Sequence, residues 1–230
     1  MRNCLVFDLD DTLFPECQYV HSGFMVVDQY LNDKYSLLGF FDVACKLFEQ
    51  GERGNIFNRY LDRMSIKYDQ AAIESIVMVY RSHEPKIVLY EDALWALSYF
   101  STTHRFGLIT DGYYVAQNAK LRALGISEKL ESIIITDELG REYWKPHKMP
   151  YILTQKKLNV PGESCIYIAD NPKKDFVTAK KLGWLTIQVK RDNCEYGDIV
   201  VEKDYRADVM IGSLFELQGI LSSICPAVDV

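Results

Sequence analysis

Residues 4–12 read Cys-Leu-Val-Phe-Asp-Leu-Asp-Asp-Thr. A short apolar run ends in a cluster of acidic residues, Asp8, Asp10 and Asp11. An apolar run of this length without polar alternation is typical of a strand that is buried on both faces. The sequence therefore predicts a central strand that delivers carboxylates at the point where it ends.

Further apolar runs of the same kind follow along the chain. They lie at Phe106–Ile109, Ser132–Ile135, Cys165–Ala169 and Leu185–Val189, with a weaker one at Asp208–Ile211. Helical patterns lie between them, for example from Tyr114 to Leu124, where Gly125 is a good helix terminator. Strands that alternate with helices indicate a Rossmann-like α/β core, a parallel sheet with helices on both faces.

The segment from 14 to 83 differs from the rest because it contains no convincing strand. It reads as consecutive helices rich in Tyr, Phe, Leu and Met, with breaks near Gly39, at 51–54 and near Ser65. We therefore expect residues 1–13 and 84–230 to form the core, and residues 14–83 to form an inserted helical domain.

In open α/β sheets, ligands bind at the carboxyl ends of the strands. The residues that follow the predicted strands here are mostly polar. They are Asp8-Leu9-Asp10-Asp11-Thr12, Thr110-Asp111-Gly112, Lys145-Pro146 some nine residues beyond the third strand, and Asp170-Asn171-Pro172-Lys173-Lys174-Asp175. The fold would make these carboxylates, the hydroxyl and the lysine converge on one site.

These four motifs, in this order and at strand ends, resemble the haloacid-dehalogenase-like (HAD) hydrolase superfamily in its phosphatase branch. The resemblance covers the whole chain, and the helical insert is similar to the family's C1 cap domain. Two departures stand out. Lys145-Pro146 continues as His147-Lys148 instead of the usual Asp-Pro, which makes Lys148 a competitor for the catalytic lysine, and Ala169 replaces a frequent glycine.

The resemblance implies a role for each motif residue. Asp8 would be the nucleophile that forms an aspartyl-phosphate, and Asp10 the general acid and base. Thr110, Asp111 and nearby backbone amides would hold phosphate oxygens, and Lys145 would neutralise charge. The Asp8 side chain, the Asp10 carbonyl and Asp170 would bind Mg²⁺, with Asp175 supporting the metal shell. Oxygen ligands without His or Cys suit Mg²⁺.

The implied activity is Mg²⁺-dependent hydrolysis of a small soluble phosphomonoester, either a sugar phosphate or a nucleotide. Arg53, in the turn at 51–54, is a candidate specificity residue because a guanidinium can clamp an anionic group. Three alternatives stay open: a phosphomutase, a 2-haloacid dehalogenase, and a non-catalytic binding protein on the same scaffold. Dehalogenases usually lack the second aspartate, so Asp10 weighs against that one.

Composition narrows the partners. The net charge of −6 argues against general affinity for nucleic acid. No apolar stretch approaches the roughly 20 residues that span a bilayer, and the N-terminus does not have the pattern of a signal peptide. Cys4 and Cys165 lie in apolar runs, as buried free thiols do in a reducing compartment. We therefore expect a cytoplasmic protein with a small phosphorylated substrate; the oligomeric state is not readable.

Overall fold

The computed structural model describes residues 2–191, 196 and 199–224. Its centre is a six-stranded, fully parallel sheet in the order β3-β2-β1-β4-β5-β6. The strands are β1 Cys4–Phe7, β2 Arg105–Thr110, β3 Ser132–Ile135, β4 Cys165–Ala169, β5 Leu185–Val189 and β6 Val209–Ile211. The α/β fold predicted from the alternating pattern is confirmed.

Helices occupy the connections between the strands. The helices are α1 Glu16–Tyr35, α2 Phe40–Glu49, α3 Ile56–Arg63, α4 Gln70–Ser82, α5 Glu91–Tyr99, α6 Tyr114–Leu124, α7 Met149–Leu158, α8 Phe176–Lys181 and α9 Leu217–Ile224. The predicted helix at 114–124 has the observed bounds, and Gly125 ends it in the left-handed conformation that glycine adopts readily.

Both faces of the sheet are covered, which explains why β1 is apolar without alternation. Leu5 and Phe7 belong to one buried cluster, together with residues of α5, α6 and α9. Cys4 and Val6 belong to a second cluster on the opposite face, together with residues of α7 and α8. Successive side chains of a strand point to opposite faces, so a strand between two helical layers must be apolar at every position.

Helices α1 to α4 follow β1 directly and precede α5. They bury a cluster of their own, in which Phe24, Phe40 and Tyr60 make edge-to-face ring contacts. The chain turns with positive φ at Gly39, Gly51 and Ser65, where the sequence predicts breaks between helices. None of the helices in the described part of the chain is long and apolar enough to cross a membrane.

The strand order places a topological switch at β1. The chain continues from β1 towards β2 on one side, and β4 pairs with β1 on the other. At such a point the connections leave the sheet in opposite directions and open a crevice at the carboxyl ends of the strands. Asp8 follows β1 and Asp170 follows β4, so both lie at this crevice.

Candidate active site

A polar cleft of about 220 Å³ lies at the carboxyl ends of β1, β2 and β4. Most of the residues that line the cleft are charged or polar. The full lining consists of Asp8, Asp10, Asp11, Glu16, Asp111, Gly112, Gln117, Trp144, Asp170, Asn171, Lys174 and Tyr196. The structure therefore brings Asp8, Asp10, Asp111 and Asp170 together around one cleft, whereas Thr110 is not among the residues that line it.

The turn after β1 aims its acidic residues into this cleft. The Asp8 N–H donates to the Ile168 carbonyl at 2.9 Å and so extends the pairing with β4. Asp11 adopts a positive φ of 51°, and its carboxylate accepts from the Glu16 N–H at 2.9 Å. Asp11 thus turns the chain and satisfies a backbone donor at the start of α1.

Lys145 is the charged centre beneath the cleft. Its Nζ lies 2.8 Å from Asp8 Oδ1 and 2.8 Å from Asp175 Oδ1, and it donates to the Tyr167 hydroxyl at 3.1 Å. The ammonium is fully buried, and these two carboxylates raise the pKa of Lys145 well above its usual value although burial opposes this. Lys148, the competing lysine of the sequence, is exposed. The structure therefore brings Lys145, and not Lys148, into contact with Asp8.

The buried aspartates have perturbed acidities. Burial raises the pKa of Asp8 to about 6, and this rise persists although Lys145 pulls the value down. Burial, followed by the charge of Asp8, raises the pKa of Asp170 well above its usual value. Two carboxylates that resist ionisation at one site favour the arrival of a cation.

The donor set fits a hard divalent cation. Carboxylate oxygens of Asp8, Asp170 and Asp175 all lie within 4.8 Å of one another. Asp175 is already engaged, because Oδ1 pairs with Lys145 and Oδ2 accepts from the Asn171 N–H at 3.0 Å. Within the described ranges, no side chain or backbone group donates a hydrogen bond to the Asp170 carboxylate. Asp8 and Asp170 are therefore the groups that can hold Mg²⁺, while Asp175 holds Lys145 and the turn after β4.

Asp10 also lines the cleft. Its Oδ1 pairs with Lys120 Nζ at 2.6 Å, and its Oδ2 accepts from Gln117 Nε2 at 3.1 Å. The side chain is 20% exposed, so it reaches the cleft while it is held from behind.

The second motif is arranged around Asp111. Its Oδ1 accepts from the Thr136 hydroxyl at 2.8 Å and the Lys145 N–H at 3.0 Å, and its Oδ2 pairs with Lys174 at 2.9 Å. Burial alone would raise the pKa of Asp111, but Lys145 and Lys174 outweigh burial and lower it. Both oxygens of the Asp111 carboxylate are thus occupied by donors. Thr110 is 1% exposed and sits at the strand end beside it.

Arg53 is not among the residues around the cleft. Its guanidinium lies 3.9 Å from the centre of the Phe48 ring, and Nη1 donates to the Phe48 carbonyl at 2.7 Å. It borders a second cavity of about 180 Å³ in the helical segment, which is otherwise mainly apolar. Glu16 borders both cavities, so the two are neighbours.

Sequence reasoning missed three polar residues of this site. Lys174 pairs with Asp111, while Gln117 and Lys120 hold Asp10. The sequence did carry a signal for Gln117 and Lys120. They lie three residues apart on the predicted helix at 114–124, on the face that also carries its buried alanines and Leu121. Polar side chains on the core face of a helix need partners.

A parallel α/β sheet with aspartates after β1 and β4, and a lysine bridging two of them, defines a hydrolase of the HAD type. The family model for haloacid dehalogenase-like hydrolases matches residues 5–189, and the chain belongs to this family.

A curated relative is the glyceraldehyde 3-phosphate phosphatase of Methanocaldococcus jannaschii. It is 27% identical over 233 residues, which cover 96% of this chain and 97% of the relative. The family match and this relative, which is named as a phosphatase, confirm the prediction of a phosphoric monoester hydrolase of the HAD family.

Solved structures share the fold. The 2-haloacid dehalogenase of Pseudomonas syringae superposes with a TM-score of 0.68 at 18% identity, covering 98% of this chain and 100% of that one. The magnesium-bound HAD hydrolase YfnB of Bacillus subtilis also has a TM-score of 0.68 at 18% identity, covering 95% and 98%. At these identities the likeness concerns the fold, which dehalogenases and other hydrolases have in common.

Proposed function

We propose that the protein is a Mg²⁺-dependent phosphatase that hydrolyses a small sugar phosphate through an aspartyl-phosphate. The observation that carries the proposal is the arrangement around Asp8, a strand-end carboxylate beside Lys145 and Asp170 in a polar cleft. Phosphoryl transfer requires an in-line nucleophile, charge neutralisation and a proton for the leaving oxygen.

A residue of the cleft can meet each of these requirements of phosphoryl transfer. Asp8 attacks phosphorus, and the ester oxygen departs with a proton from Asp10. Asp10 then takes a proton from the water that attacks the aspartyl-phosphate, which releases inorganic phosphate and restores Asp8. Lys145 stays buried and charged against Asp8 throughout, and it balances negative charge at the reacting centre.

The metal site would consist of the Asp8 carboxylate, the Asp10 backbone carbonyl and the Asp170 carboxylate. When bound there, Mg²⁺ supplies positive charge against the phosphate oxygens. Asp175 fixes Lys145 and the Asn171 backbone, and Thr110 with the Asp111 N–H contributes donors for the phosphate.

The size of the cleft supports a small substrate. Its volume of about 220 Å³ is below the range of roughly 300–1,000 Å³ of pockets for drug-sized ligands. The relative named as a glyceraldehyde 3-phosphate phosphatase matches almost the whole chain. We therefore place triose and other short sugar phosphates ahead of nucleotides. Residues 14–83 would form a C1 cap that covers the cleft, with Arg53 able to contact a larger leaving group, and the enzyme would act in the cytoplasm.

A substrate panel tests the proposal. Purified protein with Mg²⁺ is assayed for phosphate release from glyceraldehyde 3-phosphate, hexose phosphates, phosphorylated acids and nucleoside monophosphates. We expect the highest kcat/KM for a short sugar phosphate, and no release by the Asp8→Asn variant. Equal activity of Asp8→Asn and wild type would overturn the assignment of Asp8 as the nucleophile. Absence of phosphate release from every phosphomonoester would overturn the proposed function.

A further inference from the structure

Asp10 is held by two buried polar residues of α6, neither of which belongs to the four motifs. Lys120 and Gln117 are each 3% exposed, and they lie three residues apart on the same face of the helix. Lys120 Nζ is 2.6 Å from Asp10 Oδ1, and Gln117 Nε2 donates to Asp10 Oδ2 at 3.1 Å. Each carboxylate oxygen thus has its own donor.

The surroundings keep Lys120 pointed at Asp10. Its Nζ lies 4.3 Å from the centre of the Tyr19 ring and 5.8 Å from that of Phe14. These rings attract a cation through their faces but accept no conventional hydrogen bond. Asp10 is the only partner that forms a salt bridge with Lys120 among the residues that the structure describes. A buried ammonium requires such a partner, so the pair fixes both side chains.

Gln117 fixes Asp10 relative to the second motif as well. The same Nε2 that donates to Asp10 also donates to the Asp111 carbonyl at 2.9 Å. A Cβ on Gly112 would lie 2.5 Å from this nitrogen, and Gly112 has a φ of +126°. The glycine of the Thr-Asp-Gly motif therefore leaves the space through which Gln117 reaches Asp10.

We propose that Lys120 and Gln117 are positioning residues that hold the Asp10 carboxyl group in place for proton transfer. The inference rests on the proposed function, since it assigns these residues to the acid–base step of that reaction. A carboxyl oxygen has two lone-pair sites, so both donors can stay bound while Asp10 gives up and regains its proton. Neither residue needs to touch the substrate.

Lys120→Met tests the assignment, because methionine has a similar length and suits a buried site. We expect kcat on an alkyl phosphate such as glycerol phosphate to fall about tenfold to a hundredfold, the scale of loss when a reacting group is misplaced by an ångström. KM should change by about twofold or less, because Lys120 acts through Asp10 and not on the substrate. Single-turnover formation of the aspartyl-phosphate from p-nitrophenyl phosphate should be hurt less, because that leaving group needs little protonation.

A double-mutant cycle separates positioning from general stability. In an Asp10→Asn background, Lys120→Met should lower kcat by about twofold or less, since the group that it positions is already lost. Lys180→Met is the matched control: Lys180 pairs with Asp208 at 3.3 Å, away from the cleft, and its loss should leave kcat unchanged in both backgrounds. Gln117→Met should show the same coupling to Asp10 as Lys120→Met and serves as the second variant, with circular dichroism reporting the fold of each.

The outcomes are distinguishable. The positioning role would be overturned if the kcat losses of Lys120→Met and Asp10→Asn multiplied independently, or if the loss in Lys120→Met were equal for alkyl and aryl phosphates. In either case, turnover by the wild-type protein would still support the proposed phosphatase activity. A folded Lys120→Met or Gln117→Met protein with wild-type kcat would overturn it too. Failure of wild type to hydrolyse any phosphomonoester would overturn the proposed function and this inference together.

Discussion

Replacing Lys145 by methionine isolates the electrostatics at the base of the cleft. The ammonium contacts Asp8 and Asp175 at 2.8 Å each, and all three side chains are nearly or fully buried. Its removal leaves two buried carboxylates without the cation that contacts both of them. Breaking a buried ion pair by removing one partner costs about 3–5 kcal/mol. We expect a loss of this size in the free energy of unfolding at pH 7.5, together with loss of turnover.

The decrease in the free energy of unfolding caused by Lys145→Met should become smaller at lower pH. Burial already raises the pKa of Asp8 to about 6 in the presence of Lys145, and without the lysine this pKa must rise further. The penalty of the ionised Asp8 carboxylate is therefore present at high pH and disappears as Asp8 takes up a proton. The stability of the variant should approach that of wild type between pH 7.5 and pH 5.

Urea unfolding with EDTA, followed by tryptophan fluorescence, measures the effect. With an m-value of about 2 kcal/mol per M, a loss of 4 kcal/mol lowers the midpoint by about 2 M. Lys180→Met is the control, because its pair with Asp208 is about one-third exposed and should contribute less than about 1 kcal/mol. A Lys145→Met midpoint within about 0.3 M of wild type at pH 7.5, or a deficit that does not shrink at pH 5, would refute the reasoning.

Further predictions concern the nucleophile, the metal and the general acid. Asp8→Asn should abolish turnover. The raised pKa of Asp8 means that ionisation of its carboxylate destabilises the fold as the pH rises through about 6. The metal-free Asp8→Asn variant should therefore be at least as stable as wild type at pH 7.5, as measured by thermal unfolding with EDTA. Activity should vanish after EDTA treatment and return with Mg²⁺ but poorly with Ca²⁺, whose looser coordination lets Asp8 bind it bidentately; undiminished hydrolysis without metal would contradict the assigned site. Mg²⁺ affinity, measured by calorimetry, should be at least about tenfold weaker at pH 5 than at pH 7.5, because pH 5 is one unit below the pKa of Asp8 and protonation of Asp170 adds to the loss; an unchanged affinity would remove Asp8 from the ligand set. Asp10→Asn should slow attack on alkyl phosphates by about 10²–10⁴-fold and on p-nitrophenyl phosphate by less, in rapid-quench measurements; equal losses would take Asp10 out of the acid–base role.

The fold was predictable because its signals are local. The apolar residues of β1 lack alternation, since both faces of the strand are covered, and their acidic continuation marks the end of the strand. Gly125 ends α6 where a positive φ is required. The ends of the strands were less well defined: the run at Phe106–Ile109 extends over Arg105–Thr110, and the run at Asp208–Ile211 begins at Val209. The ends of an element depend on hydrogen bonding and on neighbouring elements more than on the hydrophobic pattern.

The site was predictable to the extent that its residues follow strands. Asp8, Asp10 and Asp170 converge as expected because the parallel strands end at one edge. Which lysine meets Asp8 depends on the path of the loop after β3, which no periodicity specifies. Gln117 and Lys120 could have been noticed on the core face of the predicted helix at 114–124, but the helical period does not specify which distant carboxylate they meet.

The central claim is that turnover passes through a phosphorylated Asp8. The direct measurement is a rapid acid quench of the Asp10→Asn variant with p-nitrophenyl phosphate labelled in its phosphate, whose attack by Asp8 depends less on Asp10, followed by peptide mapping. Loss of the general base slows hydrolysis of the intermediate, so label should accumulate on the peptide that contains Asp8 and be released by hydroxylamine. The account predicts labelling that approaches one phosphate per protein and is absent in an Asp8→Asn, Asp10→Asn double variant. Phosphate release in this reaction without label on Asp8, or label that persists in the double variant, would contradict the account.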